Sequence, residues 1–413
     1  MTELYELEER AERLVLVGVA VGDEVTTQDS LTELAELVQT AGGLPVGQFI
    51  QNRAGFDIAT YIGSGKVAEL KQYLIMMDAD GIVCDDELTP SQMNNLEREL
   101  EVKILDRTMV ILDIFAARAS TREGKIQVEL AQLRYRLTHL IGMGGILSRQ
   151  GGGIGTRGPG EKQLEIDRRV IRERISRLKA DLEQVKTNRA TQRKQRLGNG
   201  IPVVCIVGYT NAGKSTLLNT LTDSEVLSED KLFATLDPTT RSLELPDGQK
   251  ILLTDTVGFI RKLPHHLIQA FRSTLEEAKY SDYILHVVDA SNPQMDIQMQ
   301  VVYETLRELE VGDKTVITAF NKSDCPVAQR LSDPYADDTI AISARSGEGL
   351  DELQIILANV LRARNIYVEK VYDYKDAGKI QLIRRYGQLL KEEYEEDGIH
   401  AAGYVPADII GRL

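Results

Sequence analysis

Apolar positions along this chain change their spacing from segment to segment, and each spacing predicts a different element. The unbroken run Leu14 to Val21 reads as a strand buried on both faces. Helical spacing follows at Leu31, Leu34, Leu37 and Val38, and then an extended stretch from Leu44 to Ile50. A second round predicts a helix through Val67, Leu70 and Leu74, a short strand Gly81 to Cys84, a helix from Pro90 through Met93, Leu96 and Leu100, and a strand Val102 to Leu105. This alternation assigns residues 1–109 to an α/β domain. Tyr61 to Lys66, with two glycines, reads first as a helix-entry turn and second as an anion site.

The spacing then changes to steps of three and four at Ile126, Leu130, Leu133, Leu137 and Leu140, and again at Leu164, Ile171, Ile175, Leu178, Leu182 and Val185. Arg168 stands where an apolar residue would complete the second seam. Two such stripes predict an antiparallel helical hairpin over residues 110–198, its loop running from Gly142 to Gly160 and a polar linker following from Lys186 to Gly200. Neither run is long enough for a dimeric rod, so pairing within a monomer is expected. Beyond it, apolar runs Ile201 to Val207, Tyr283 to Val288, Thr315 to Ala319 and Thr339 to Ile342 alternate with helical stretches around Val301 to Leu309 and Leu350 to Leu361. They predict a mostly parallel sheet with flanking helices over residues 199–364. Residues 365–413 read as a small α/β appendage: an extended Ile366 to Tyr372, a helix through Ile383 and Leu389, and a strand Ile399 to Val405.

Charge changes this picture. The 413-residue chain carries −14 overall, yet Arg118 to Arg196 holds 19 Lys and Arg against 8 Asp and Glu. A segment at +11 in a chain whose remainder is at −25 can meet phosphates while the acidic parts limit indiscriminate adhesion. Glycines crowd the hairpin loop beside Arg149 and Arg157, so backbone donors and guanidinium groups can enter a narrow, phosphate-rich place. Cys84, Cys205 and Cys325 lie far apart, without metal or disulfide spacing, and read as small apolar fillers. No apolar run is long enough for membrane insertion, and the acidic start lacks a signal core, so a cytoplasmic protein is expected.

Candidate chemistry centres on Gly208-Tyr209-Thr210-Asn211-Ala212-Gly213-Lys214-Ser215, which fits G-x-x-x-x-G-K-[ST] between a strand and a helix through Leu217, Leu218 and Leu221, with Thr216 a further candidate nucleotide contact. Backbone N–H groups of such a loop cradle phosphates, Lys214 reaches the β/γ oxygens, and Ser215 meets Mg²⁺. In Phe233-Ala234-Thr235-Leu236-Asp237, Thr235 is the candidate second hydroxyl ligand, with Thr239 and Thr240 as alternatives. Leu243 to Leu245 and Ile251 to Leu253 predict a strand pair across the Pro246-Asp247-Gly248 turn. The second strand leads to Asp255-Thr256-Val257-Gly258, whose carboxylate can hold the Mg²⁺ shell and whose glycine N–H can meet the γ-phosphate. Catalytic roles fall to Lys214, Thr235 and Gly258. Asn321-Lys322-Ser323-Asp324 supplies a carboxylate that reads the donor edge of guanine, a loop-bracing amide in Asn321 and a stem in Lys322 for the base to lie on. Ser343-Ala344-Arg345 offers backbone to the guanine oxygen.

These four elements in order match the G1, G3, G4 and G5 motifs, and Pro202 to Arg364 resembles a translation-factor-class GTPase domain. Phe259 stands where Ras-like proteins carry a water-orienting glutamine, so intrinsic hydrolysis is expected to be slow. Asn211 sits where potassium-stimulated GTPases offer an oxygen to K⁺; equal turnover in sodium and potassium would remove that reading. With the segment from Arg149 to Glu165 and Asp255-Thr-Val-Gly-Phe259, the whole arrangement resembles the HflX family. The resemblance implies a P-loop GTPase domain preceded by an α/β domain and a hairpin, binding GTP, GDP and the large ribosomal subunit with its RNA. It also implies that stalled or stressed ribosomes are separated into subunits. An RNA chaperone with regulatory nucleotide binding, or an RNA-remodelling NTPase, is the competing class.

Overall fold

The computed structural model describes residues 10–150, 159–197, 201–222, 232–264, 267, 272–326, 330–363 and 365–413. The chain forms two compact units. The first comprises Met1–Glu183 with Lys231–Phe233 and Arg261–Phe271, and the second comprises the remainder.

In the first unit, β1 (Arg13–Ala20), β2 (Leu44–Asn52), β3 (Gly81–Cys84) and β4 (Lys103–Asp106) form a parallel sheet in the order β2-β1-β3-β4. The crossovers are α1 (Glu24–Thr40), α2 (Ser64–Met77) and α3 (Pro90–Leu100), which bury the apolar stripes that their spacing predicts, except that Met93 of α3 is half-buried. Local chemistry sets where these helices begin. Asp23 accepts from the Val25 and Thr26 N–H groups, and Thr89 with Gln92 forms a capping box ahead of Pro90. Before α2, the Gly63 N–H donates to Gln51 Oε1 at 2.8 Å and Lys66 pairs with Glu69, so Tyr61 to Lys66 is a helix-entry turn.

A further helix, α4 (Arg107–Arg118), is capped by Asp106, which accepts from the Met109 N–H, and it spans the position 109/110 expected as a boundary. Then α5 (Arg122–Gln150) and α6 (Pro159–Leu197) pair along Ile126, Leu130, Ile171, Ile175, Leu178 and Leu182. Glu129 meets Arg174 at 2.7 Å and Arg168 donates to the Leu140 carbonyl at 2.7 Å, so the partners run in opposite directions, as expected. Arg168 thus fills the break in its seam by reaching the facing backbone.

Both helices exceed expectation. The backbone of α5 stays helical through Gly142, Gly144 and Gly145, because a helix already nucleated by its seam extends at the smaller cost of propagation. Likewise α6 runs through the expected linker to Leu197, having no glycine or proline between Lys186 and Gly198. The middle of the glycine-rich segment, residues 151–158, and Gly198 to Gly200 lie outside the described residues.

In the second unit a six-stranded sheet runs in the order β10-β9-β8-β5-β7-β6. Its strands are β5 (Val203–Gly208), β6 (Thr239–Glu244), β7 (Lys250–Asp255), β8 (Tyr283–Asp289), β9 (Thr315–Asn321) and β10 (Asp338–Ala341). Only the edge strand β6 is antiparallel to its neighbour. Around them pack α7 (Lys214–Thr222), α8 (Arg272–Tyr280), α9 (Met295–Glu308) and α10 (Leu350–Ala363), closing a core through Val204, Ile206, Leu217, Leu253, Leu285 and Ile317.

The C-terminal sheet, β11 (Asn365–Tyr372), β13 (Gly398–Pro406) and β12 (Gln388–Glu395), is antiparallel, with α11 (Ala377–Tyr386) and α12 (Ala407–Ile410) packed on it. Leu389, expected in the helix, lies in β12 because the chain leaves helical geometry at Gly387. Cys84 and Cys205 are buried fillers, but Cys325 is exposed and fills nothing. Among the described residues no helix is long and apolar enough to cross a membrane.

Candidate functional site

The carboxyl ends of β5, β7, β9 and β10 bring the sequence-predicted motifs to one edge of the sheet. Strand β5 ends in Gly208, the chain turns through Tyr209 to Gly213, and α7 opens at Lys214. The turn needs left-handed backbone at Asn211 (φ 61°) and Gly213 (φ 92°). A Cβ on Gly213 would also lie 2.2 Å from Asn321 Nδ2, so that position excludes any side chain. Asn321 joins two loops, donating to the Ala212 carbonyl and accepting from the Ala344 N–H, each at 2.8 Å.

Lys214 is buried, and its Nζ donates to the Tyr209 carbonyl at 2.8 Å. Burial lowers its pKa to about 8, with Asp255 opposing the shift. Gly258 closes over it: a Cβ there would be 2.6 Å from Thr210 Cα and 3.0 Å from Lys214 Nζ. The next residue, Phe259, pairs with the phosphate loop through its backbone, its N–H donating to Gly208 O at 3.1 Å and its carbonyl accepting from Thr210 N–H at 2.7 Å. Its ring is buried, where it can orient no water.

Ser215, Thr235 and Asp255 converge. Ser215 Oγ is 2.7 Å from Thr235 Oγ1 and donates to Asp255 Oδ2 at 2.7 Å. Asp255 is fully buried, and its Oδ1 has no hydrogen-bond partner among the described residues. Burial pushes its carboxyl up, against the pull of Lys214 and the hydroxyls of Ser215 and Thr235. Two hydroxyls and a carboxylate with an uncommitted oxygen form a hard-oxygen set that fits Mg²⁺. The alternatives Thr239 and Thr240 belong to β6 instead, Thr240 lying 3.0 Å from Thr254 across the strand pair.

Around this cluster Thr216 stands in the first turn of α7 and Ala234 and Asp237 are half-buried. Leu236 and Val257 are buried, while Thr256 donates to the Ile206 carbonyl at 2.8 Å. At the far end of the edge Asp324 is exposed, the Ser343 and Ala344 side chains are buried, and Arg345 is exposed. The Ser323 N–H donates to Ile342 O at 3.1 Å, and Lys322 pairs with Asp289 at 2.7 Å. Phe233 is placed differently from its neighbours: it packs within the first unit, edge-on to Phe115 with ring centroids 4.8 Å apart.

Three family models match successive parts of the chain: one described as GTP-binding GTPase N-terminal over residues 28–116, one as GTP-binding GTPase Middle Region over 118–196, and one as 50S ribosome-binding GTPase over 203–322. Among curated relatives, "GTPase HflX" of Lacrimispora saccharolytica is 64% identical over 414 residues, covering 100% of this chain and 98% of the relative. The protein of the same name in Caldanaerobacter subterraneus is 47% identical over 99% of this chain and 95% of its own length. A solved structure titled "crystal structure of SsGBP and GDP complex" is 27% identical, with a TM-score of 0.48, over 84% of this chain and 98% of that one.

Proposed function

Because the chain belongs to the HflX family of GTPases and carries the family's GTP-hydrolysing domain, we propose that it is a nucleotide-operated switch on the large ribosomal subunit that separates stalled or stressed ribosomes into subunits. The observation that carries this reading is a basic, paired helical hairpin on the same chain as a complete set of guanine-nucleotide motifs. Its +11 segment meets RNA phosphates by releasing their counterions, and the family description of residues 203–322 names the 50S subunit.

Within the site, backbone N–H groups from Gly208 to Ser215 cradle the phosphates and Lys214 lies against their β/γ oxygens. Asp324 accepts the donor edge of guanine, which adenine lacks, while Asn321 keeps the loop carrying Ala344 against the phosphate loop. Ser215, Thr235 and Asp255 hold Mg²⁺, which when bound offsets the charge that develops on the transferred phosphoryl group. Thr235 and Gly258 sense the γ-phosphate, and its loss releases both segments. Phe259 supplies no water-orienting group, so hydrolysis is slow until the ribosome completes the site. Asn211 would offer its side-chain oxygen to a K⁺ ion beside the phosphates, as asparagine does in the potassium-stimulated GTPases it resembles at this position.

Sedimentation of the full chain with ribosomes tests this reading. Co-pelleting with 50S particles and conversion of 70S to subunits are expected with a non-hydrolysable GTP analogue, are lost with GDP, and weaken as salt rises. Splitting that proceeds equally with either nucleotide overturns the switch.

A further inference from the structure

Helix α4 has no part in the nucleotide motifs, yet it touches two segments that flank the stretch from Thr235 to Gly258 in sequence. At one end Arg107, fully buried, donates to the Arg261 carbonyl at 3.3 Å and to Asp85 at 2.8 Å. The adjoining Lys262 pairs with Asp85 and lies 2.8 Å from Asp86. At the other end Phe115 meets Phe233 edge to face at an interplanar angle of 80°, and both rings are buried. Phe233 is two residues before Thr235, and Arg261 is three residues after Gly258.

We propose that Phe115 is a positioning residue for Thr235, fixing the chain just upstream of it, while Arg107 on the same helix fixes the chain just downstream of Gly258. This rests on the reading of Thr235 as a ligand in the triphosphate state. Phe233 adopts left-handed backbone (φ 54°), a conformation that a phenylalanine keeps only where its surroundings hold it, and the Phe115 contact is part of that hold. A contact made in one arrangement only lends its whole free energy to that arrangement. The triphosphate state, which needs Thr235 in place, therefore gains from Phe115, and the diphosphate state, which does not, gains nothing.

The test is equilibrium binding of fluorescent GDP and of a fluorescent non-hydrolysable GTP analogue to the full chain across a Mg²⁺ titration. Phe115→Ala is expected to weaken the GTP analogue about five- to tenfold, the range open to an aromatic pair, and to raise the Mg²⁺ needed for its binding. GDP affinity stays within about twofold of wild type on the same argument. Phe115→Leu, which keeps most of the apolar volume, is expected to restore part of the loss, and it carries the test should Phe115→Ala fail to fold. Thr235→Ala should show the same preference for GDP, and adding Phe115→Ala to it should change nothing more. Equal weakening of both nucleotides, or a full additional loss in the double variant, overturns the positioning role. Thr235→Ala with unchanged analogue binding overturns the Thr235 reading itself, whereas a harmful Thr235→Ala beside a harmless Phe115→Ala overturns only the part given to Phe115.

Discussion

His286 shows what one residue can hide beneath a familiar motif. It lies on β8 opposite Val207, one residue from the start of the phosphate loop, and no motif reads it. Its ring is buried, 3.7 Å from Asp333, while Asp333 accepts from Tyr303 and Thr318 at 2.6 Å each. Burial lowers the imidazole pKa, and the nearby Lys214 adds to this while Asp333 opposes it; hydrogen bonds outweigh burial at Asp333 and hold it at about 2. In both cases the unfolded chain takes up protons first, so stability is complete above the unfolded pKa and falls with acidification. For His286 the loss begins as pH drops below about 6.5, and for Asp333 below about 4. Unfolding free energies from urea titrations between pH 7.5 and 5 should therefore fall in the wild type, by up to about 1.4 kcal/mol per pH unit for the single histidine proton, and be flatter in His286→Asn. An equally steep decline in the variant would assign the effect elsewhere. The motif residues themselves were legible because they follow a fixed local spacing along the chain. His286 and Asp333 were not, since their pairing joins distant stretches of chain and leaves no local period.

At the scale of elements, legibility followed nucleation. Strands bounded by turn residues and helices with a full apolar stripe fall where their spacing puts them, with ends shifted by a few residues, as at Met295–Glu308 and Asp338–Ala341. Helix α4 gave no comparable signal, because it buries residues around most of its circumference, including Arg107, Val110, Ile111, Leu112 and Phe115. A buried arginine at its first turn cannot be anticipated without its partners. Those partners, Asp85 at 2.8 Å and Glu33 at 2.7 Å, lie in another strand-end loop and another helix. Burial alone would raise the Asp85 pKa, but Arg107 and Lys262 more than offset this and hold it below the usual carboxylate range. Replacing Arg107 by Leu leaves that carboxylate buried with one cation fewer, and should cost about 3–5 kcal/mol in urea unfolding. Arg107→Leu with Asp85→Leu should recover a large share of the loss, because the pair is then replaced by apolar packing. If the double variant is as unstable as the sum of the singles, the ion pair is not the origin of the effect.

For the whole molecule, the family models match residues 28–116, 118–196 and 203–322 in succession. The packing cuts the chain differently: between residues 231 and 271 it belongs to each unit in turn. Within the second unit, Arg362 pairs with Asp247 at 3.1 Å and Gln388 donates to the Asp247 carbonyl at 2.9 Å, so the C-terminal sheet is anchored to the turn between β6 and β7. No composition shift or linker marks these crossings, because they are made by short loops whose residues look local.

That interleaving has a practical outcome for anyone dissecting the protein. Cutting away residues 1–183 would not release a clean GTP-binding half, since Phe233 would be stripped of the surface that buries it and Lys262 would lose both carboxylates. Such a fragment would display a sticky apolar tag and an unneutralised ammonium close to its nucleotide loops. Colloidal behaviour rather than catalysis should betray this first. Light scattering of the fragment should reveal self-association at concentrations where the intact chain stays dispersed, and Phe233→Ser should relieve it. A fragment that remains dispersed would mean that these loops refold onto their own half and that the two halves are more separable than their shared chain suggests.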